Sequence, residues 1–360
     1  MTSSPGPQVS DPEVTNTEVV VIGGGQAGLA AGYFLRRAGA PFVILDAEDR
    51  PGGAWQHYWD SLHLFSPAAH SPLPGWPMPR QPGVEYPSAD HVVDYLTAYE
   101  GRYELPVRRP VTVRAVRDDD DALAVETDRG TWRAGHVISA TGSWRRPHRP
   151  RVTGGEDFAG RQLHTVDYRR PDPFAGQRVV VVGGGNSAAQ ILADLAPVAE
   201  ATWCTLRPPR LMPDDVDGRV LFDVATQRAA ARRHGQEAEG LGGLGDIVMV
   251  PSVRAARDRG ALVAHPMFDR IAPDGVAWED GSFVACDAII WCTGFTPDLA
   301  HLAPLGLPTE GGMPRTEVTR CLDEPRLHLL GYGDRTGFAS ATLIGAGRTA
   351  KGAVAEITRG

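Results

Sequence analysis

One lysine, Lys351, stands among the 36 lysines and arginines of this 360-residue chain, a bias of genome composition rather than of function. Against them are 44 aspartates and glutamates, so the net charge is −8 and the pI about 5.8. Neither nucleic acid nor an anionic membrane surface is an expected partner for such a chain. Cysteine is scarce: Cys204, Cys286, Cys292 and Cys321 include no C-x-x-C pair, which argues against a zinc ribbon and against a dithiol redox centre. They read as small buried hydrophobes in a reducing compartment, and no metal site is expected. Asparagine occurs only as Asn16 and Asn186. The uncharged run Val19–Leu35 covers 17 positions, close to a membrane span, but its glycines and Gln26 mark it as a buried βα unit. Residues 1–16 hold no Lys or Arg and no apolar core, and read as a disordered lead-in rather than a signal peptide. A cytoplasmic protein is expected.

The same run carries the first positive signal. Four β-branched residues, Val19–Ile22, lead into Gly23-x-Gly25-x-x-Gly28 and an Ala/Leu-rich helix, followed by a second strand, Phe42–Leu45, that ends in Asp46. Strand, glycines, helix, strand and acid in this order form a dinucleotide fingerprint. Gly23 permits the turn, Gly25 the approach of a pyrophosphate and Gly28 the packing of helix on strand, while Asp46 suits a ribose diol. Gln26 and Ala27 lie in the same turn. Gly53 and Trp55 belong to a following Gly-Gly loop suited to close approach of a ligand.

The aromatic, proline-rich loop Tyr58–Tyr86 has no clear period and reads as functional. A helix is expected over Ser88–Tyr103, then short strands Val111–Val116, Leu123–Thr127 and Thr131–Arg133, with the acidic run Asp118–Asp121 at a turn. Another strand ends in Ala140-Thr141-Gly142. The opening pattern then returns: Arg178–Val182 runs into Gly183-x-Gly185-x-x-Ala188, with Asn186 and Ser187 in the turn. Here the position of the acid is taken by Leu206 beside Arg207, and an arginine favours a 2′-phosphate. The first site is therefore assigned to FAD and the second to NADPH. Pro213–His265 reads as polar and helical, with a glycine-rich patch at Gly240–Gly245. A second strand end, Trp291-Cys-Thr293-Gly294, suggests that the chain crosses between domains on either side of the second fingerprint. Gly333 and Asp334, before a closing helix Ala339–Ile357, suit the ribityl chain of a flavin. The expected fold is α/β, with two Rossmann-like domains in the glutathione-reductase-like arrangement. A FAD domain (17–170 and 295–360) would carry an inserted NADPH domain (171–294).

Between the fingerprints lies Phe158-x-Gly160-x-x-x-His164-x-x-x-Tyr168-Arg169. Together with the two fingerprints, it resembles the signature of class B flavin-dependent monooxygenases. Trp59–Pro67 and Arg207–Asp217 look most like the short bacterial flavoproteins associated with arsenic resistance or cation efflux. The resemblance implies a cytoplasmic oxidoreductase that uses FAD, NADPH and O2, forms a C4a-hydroperoxyflavin and oxygenates a small soft nucleophile: sulfur, nitrogen or a trivalent arsenical. It places Phe158, Gly160, His164 and Tyr168 at a linker that governs NADP(H) binding. No nucleic acid, membrane or metal is implied, and a homodimer is left open. One departure is that the flavin-site asparagine of flavin-containing monooxygenases falls at Phe65 or Ser66. Ser66 and His70 are the candidate substitutes for its catalytic role. The alternatives are an NADPH oxidase or electron-transfer flavoprotein that releases hydrogen peroxide, and a disulfide-reductase-like protein without its dithiol.

Overall fold

The computed structural model describes residues 14–216, 218–219 and 246–359. They divide into two compact units: 14–53, 98–142 and 299–359 in one, and 54–97 with 143–298 in the other. The second unit interrupts the chain of the first twice, where a single insertion over 171–294 was expected. Residues 54–97, 143–170 and 295–298, grouped by sequence with the FAD domain, are built into the second unit. Trp59, Leu62, Ala89 and Tyr168 share one buried cluster with Val179, Leu192 and Trp203, and apolar burial decides the grouping.

The first unit starts from strand β1 (Val14–Ile22), helix α1 (Gln26–Ala38) and β2 (Phe42–Leu45). Val14–Asn16, expected in the lead-in, are strand and pair with Thr131–Arg133. Helix α2 (Ala89–Arg102) begins in the second unit beside Ser88, whose Oγ accepts from the His91 N–H, and from Ala98 on belongs to the first. After β3 (Val107–Arg108), strands β4 (Val113–Asp119), β5 (Ala122–Thr127) and β6 (Gly130–Ser139) form the meander. Thr131–Arg133 and the strand before Ala140 prove to be one ten-residue strand, β6. Its first half pairs antiparallel with β5, and it runs parallel to β1 almost throughout.

The second unit holds β7 (Arg161–His164), β8 (Arg178–Val182), α3 (Asn186–Leu195), β9 (Glu200–Thr205), α4 (Pro251–Asp258) and β10 (Ala264–Pro266). There follow a three-stranded antiparallel sheet, β11 (Arg270–Ala272), β12 (Gly275–Ala277) and β13 (Phe283–Ala285), and then β14 (Ala288–Trp291). Its main sheet is parallel, in the order β10-β9-β8-β14-β7. The chain re-enters the first unit with β15 (Thr309–Glu310), β16 (Met313–Pro314), β17 (Thr316–Glu317), β18 (Arg320–Cys321), β19 (Leu327–Leu329) and α5 (Leu343–Ile357). There the parallel core is β3-β2-β1-β6-β19. Both central strands are buried on both faces, as their unbroken Val/Ile runs require. The Gly240–Gly245 patch lies outside the described residues, and among those described no helix is long and apolar enough to cross a membrane.

Strand and helix meet where a side chain cannot fit. A Cβ at Gly28 would run into the Gly23 carbonyl oxygen, well inside van der Waals contact, and the obstacle is backbone. Gly28→Ala is therefore expected to cost about 2–3 kcal/mol, as overpacking does, a fall in melting temperature of roughly 5–10 °C. Gly101→Ala, on helix α2 with no atom within 4 Å of its Cβ, is the control and should raise the midpoint slightly. Equal midpoints for the two variants in thermal unfolding would contradict this packing.

Candidate functional site

In the first unit the expected residues converge on one turn. Gly23 has φ +107, and a Cβ there would stand 2.5 Å from the Ala140 carbonyl oxygen, which places the Ala140-Thr141-Gly142 strand end against it. Gly53, at φ +53, lies so near that its Cβ would be 2.7 Å from Gly25 Cα. The approach of Gly331 to Ala27, and the bond from Gln26 Nε2 to the Ala341 carbonyl at 2.6 Å, bring the Gly333-Asp334 segment to the same place. Asp334 itself accepts the Ala339 N–H at 3.3 Å. Trp55 belongs to the second unit, where it packs on Tyr58.

Asp46 ends β2 beneath this turn, with its carboxylate under Gly24. It is buried, which raises its pKa, while Arg109 opposes that rise. Arg109 donates to Asp46 Oδ2 at 3.1 Å and grips Glu100 through both carboxylate oxygens at 2.6 and 2.8 Å. Neither Arg109 nor Glu100 left a readable sign in the sequence, since the pairing with Asp46 spans 63 residues. Equally unforeseen is a buried polar network at the strand ends. Ser139 Oγ meets His301 Nε2 at 3.1 Å and the Tyr332 hydroxyl at 3.2 Å, and Tyr332 reaches Thr141 at 2.8 Å.

The second unit repeats the turn. Gly183 has φ +139, and its Cβ would collide with the Cys292 carbonyl, which brings up the Thr293-Gly294 strand end. Asn186, expected in the nucleotide turn, is occupied by segment 246–248: its amide donates to the Asp246 carbonyl at 3.1 Å and accepts the Val248 N–H at 2.9 Å. Ser187 and the buried Ala188 follow in α3. The station of Asp46 is held here by the buried Thr205 under Gly184, not by Leu206 as the spacing suggested, because the second strand is reached one residue sooner. Arg207 is exposed two residues beyond it, next to Leu206 at 88% exposure. Arg210, nearby, is committed to Asp246 at 2.6 and 2.9 Å.

The motif Phe158–Tyr168 lies wholly within this unit. Phe158 is buried under β8, and Gly160 has no room for a Cβ beside the Asp287 carbonyl. The His164 Nδ1 accepts the Val166 N–H, so Nε2 carries the proton and donates to the Gly294 carbonyl at 3.0 Å. Burial lowers the His164 pKa in keeping with this neutral form. Tyr168 donates to Asp194 at 3.4 Å, as does Ser61. Of the two catalytic candidates, Ser66 spends its hydrogen on Ser71 Oγ at 2.8 Å, because the Ser71 hydrogen goes to the Pro67 carbonyl at 3.2 Å. His70 keeps a buried Nδ1 with no hydrogen-bond partner among the described residues. Those residues contain no group of metal-ligating side chains. The cysteines are free, and burial pushes Cys204 and Cys292 up to about 12 and Cys286 to about 11, so none of these three is a ready thiolate.

A family model described as pyridine nucleotide-disulphide oxidoreductase matches residues 20–214, more than half of the chain. The chain belongs to that family. Among relatives of this oxidoreductase, a flavin-containing monooxygenase from Stenotrophomonas maltophilia has a solved structure. It is 51% identical, with a TM-score of 0.88 over 96% of this chain and 99% of that one. An oxidoreductase of Geobacillus kaustophilus named CzcO-like is 30% identical over 79% of this chain and 82% of its own length. The indole-3-pyruvate monooxygenase YUCCA1 of Oryza sativa is 32% identical over 57% of this chain and 52% of its own. The chain is thus an oxidoreductase of the flavin-monooxygenase type, and FAD and NADPH are the cofactors of that type.

The buried histidines of the first unit set a pH limit. Burial pushes His301 and His328 down to about 4, whereas in the unfolded chain each titrates near 6.5. A depressed folded pKa means that the stability gained is complete above about pH 6.5 and is lost as pH falls toward 4. Melting temperatures are expected to drop across that window, and His301→Gln to shallow the slope. An identical slope in wild type and variant would show that His301 takes its proton in the folded state.

Proposed function

We propose that this oxidoreductase is an NADPH- and FAD-dependent monooxygenase acting on a small soft nucleophile, with FAD in the first cradle and NADPH in the second. The observation that carries the reading is the pair Gly25 and Gly185. Both have ordinary extended backbone, at φ −80 and −118, where any residue fits. A Cβ would meet only Gly53 Cα at 3.8 Å in the one case and nothing within 4 Å in the other. Backbone and packing therefore leave these positions free for a side chain, and a ligand that needs bare backbone accounts for glycine at both.

The helices agree. Gly25 and Gly185 are the N-caps of α1 and α3 and supply no side-chain cap, and neither helix has an acid in its first turn. Their N-terminal N–H groups and positive dipole ends suit a pyrophosphate. Asp46, steadied by Arg109, would take the ribose hydroxyls at the first cradle, with Ala140–Gly142 and Gly333-Asp334 beside it. Exposed Arg207, with Thr293-Gly294 across the turn, suits a 2′-phosphate at the second. When bound, NADPH supplies hydride and FAD passes the electrons to oxygen. The thiols of Cys204, Cys286 and Cys292, held far above neutrality, offer no ready dithiol to receive them instead. The arsenical substrates suggested by the sequence remain within the soft-nucleophile class.

Gly25→Val is expected to fold but purify without flavin, while Gly185→Val stays yellow and is no longer reduced by NADPH. If both variants keep wild-type flavin content and reduction rate, the cradles are assigned wrongly. Arg207→Ala should lose a charge-assisted bond of about 1.5–3 kcal/mol, which raises KM for NADPH at least about tenfold and leaves NADH unchanged. Oxygenation itself is tested by counting NADPH consumed, peroxide released and product formed with sulfide, amine and arsenite. Peroxide equal to NADPH with every substrate would make the protein an oxidase.

A further inference from the structure

The two fingerprints differ at their third position, Gly28 in the first and Ala188 in the second. In the first copy a Cβ at residue 28 would collide with the Gly23 carbonyl oxygen. In the second copy Ala188 carries that Cβ, fully buried, in an otherwise equivalent turn. Both turns are anchored alike, with the Gly23 N–H on the Leu45 carbonyl at 2.8 Å and the Gly183 N–H on the Cys204 carbonyl at 3.0 Å. What distinguishes them is the residue one step back on the neighbouring strand. Val21 pairs with Ile44, and Val181 pairs with Trp203, so Ile44 and Trp203 hold the same station in the two sheets. Ile44 has nothing to donate. Trp203, at 1% exposure, donates its indole Nε1–H to the Gly183 carbonyl at 2.6 Å. The backbone has turned accordingly, to φ +139 at Gly183 from +107 at Gly23.

We infer that Trp203 is a positioning residue of the second nucleotide site. Its N–H draws the Gly183 carbonyl toward β9, which leaves room for the Ala188 methyl on α3 and fixes the turn on which the coenzyme pyrophosphate rests. Trp203 and Ala188 lie in one buried cluster, so the indole and the methyl both meet the half-buried turn from its inner side. On its other side the Cys292 carbonyl closes against Gly183, so the turn cannot relax outward. Without the indole N–H, the carbonyl is left unpaired with the Ala188 methyl beside it, a combination that distorts the turn. The role rests on the reading of this turn as the NADPH site, but the coupling of Trp203 to Ala188 does not.

Four proteins test it: wild type, Trp203→Phe, Ala188→Gly and the double variant, all loaded with FAD and oxidised. Titration calorimetry with NADP+ is expected to show about tenfold weaker binding for Trp203→Phe, the loss that follows removal of the carbonyl's donor. Ala188→Gly should bind within about twofold of wild type, and the double variant within about threefold, because removing the methyl relieves the turn. Flavin content should be the same in all four. Loss of ring volume alone would lower the melting temperature but could not be mended by deleting a methyl group, so the rescue separates positioning from packing. Where Trp203→Phe alone does not fold, the comparison runs between Ala188→Gly and the double variant, and a tenfold gap between them overturns the inference. Wild-type affinity in Trp203→Phe, or no rescue by Ala188→Gly, also overturns it. A wild type that binds no NADP+ overturns the site reading and the positioning role together. Additive melting temperatures across the four would separately overturn the claim that Trp203 is what admits Ala188.

Discussion

The close approach of backbone to backbone at the first glycine of each fingerprint is the constraint on which both units depend. Gly23 is pressed between the Ala140 carbonyl and the start of α1, and Gly183 between the Cys292 carbonyl and Trp203. A strand can feed a helix this tightly only if the next parallel strand ends against the turn, and β6 and β14 do so. Both strands run out into Thr-Gly, where the glycine takes a positive φ, +67 at Gly142 and +80 at Gly294. The repetition marks a shared packing task, and the chain passes from one unit to the other just after each, at 142/143 and 298/299.

The two cradles part company in their charge. In the first, the acid is built into the core and held by a counterion whose other partner, Glu100, is itself largely buried, so the three groups form one assembly with side-chain exposures of 6%, 11% and 17%. Removing one member of such an assembly leaves its partners unpaired, which is costlier than never burying them. In the second, the cation Arg207 stands at the rim in solvent. A buried acid at the end of β2, against a buried Thr205 at the same station of β9 with an exposed base two residues beyond it, is a physical difference between the cradles that does not depend on any relative.

Much of this was legible because it is local. The β-branched runs, the glycine spacing and the Ala/Leu helices lie within about thirty residues of one another, and each element was found within a few residues of its expected bounds. What escaped is long-range. Arg109 reaches Asp46 across 63 positions and His301 meets Ser139 across 162, and no periodicity encodes either contact. Asn186 was read as a nucleotide contact from its place in the motif, yet segment 246–248 takes up both ends of its amide. The meander was divided one strand too finely, because Ala134 and Gly135 interrupt the β-branched signal without interrupting the ladder.

The motif around His164 gains a physical role from the same turn. Because Nδ1 accepts the Val166 N–H, the ring stays neutral and its single proton is directed to the Gly294 carbonyl. Two residues back, the Cys292 carbonyl rests against Gly183. A histidine on the edge strand β7 is therefore linked to the first glycine of the second fingerprint through one hydrogen bond and three residues of backbone. Protonation would turn Nδ1 from acceptor to donor and set it against the Val166 N–H, so the lowered pKa that burial confers keeps this link intact at neutral pH. On the proposed assignment of that turn to NADPH, the motif acts on the coenzyme through the backbone that cradles it and needs no contact of its own.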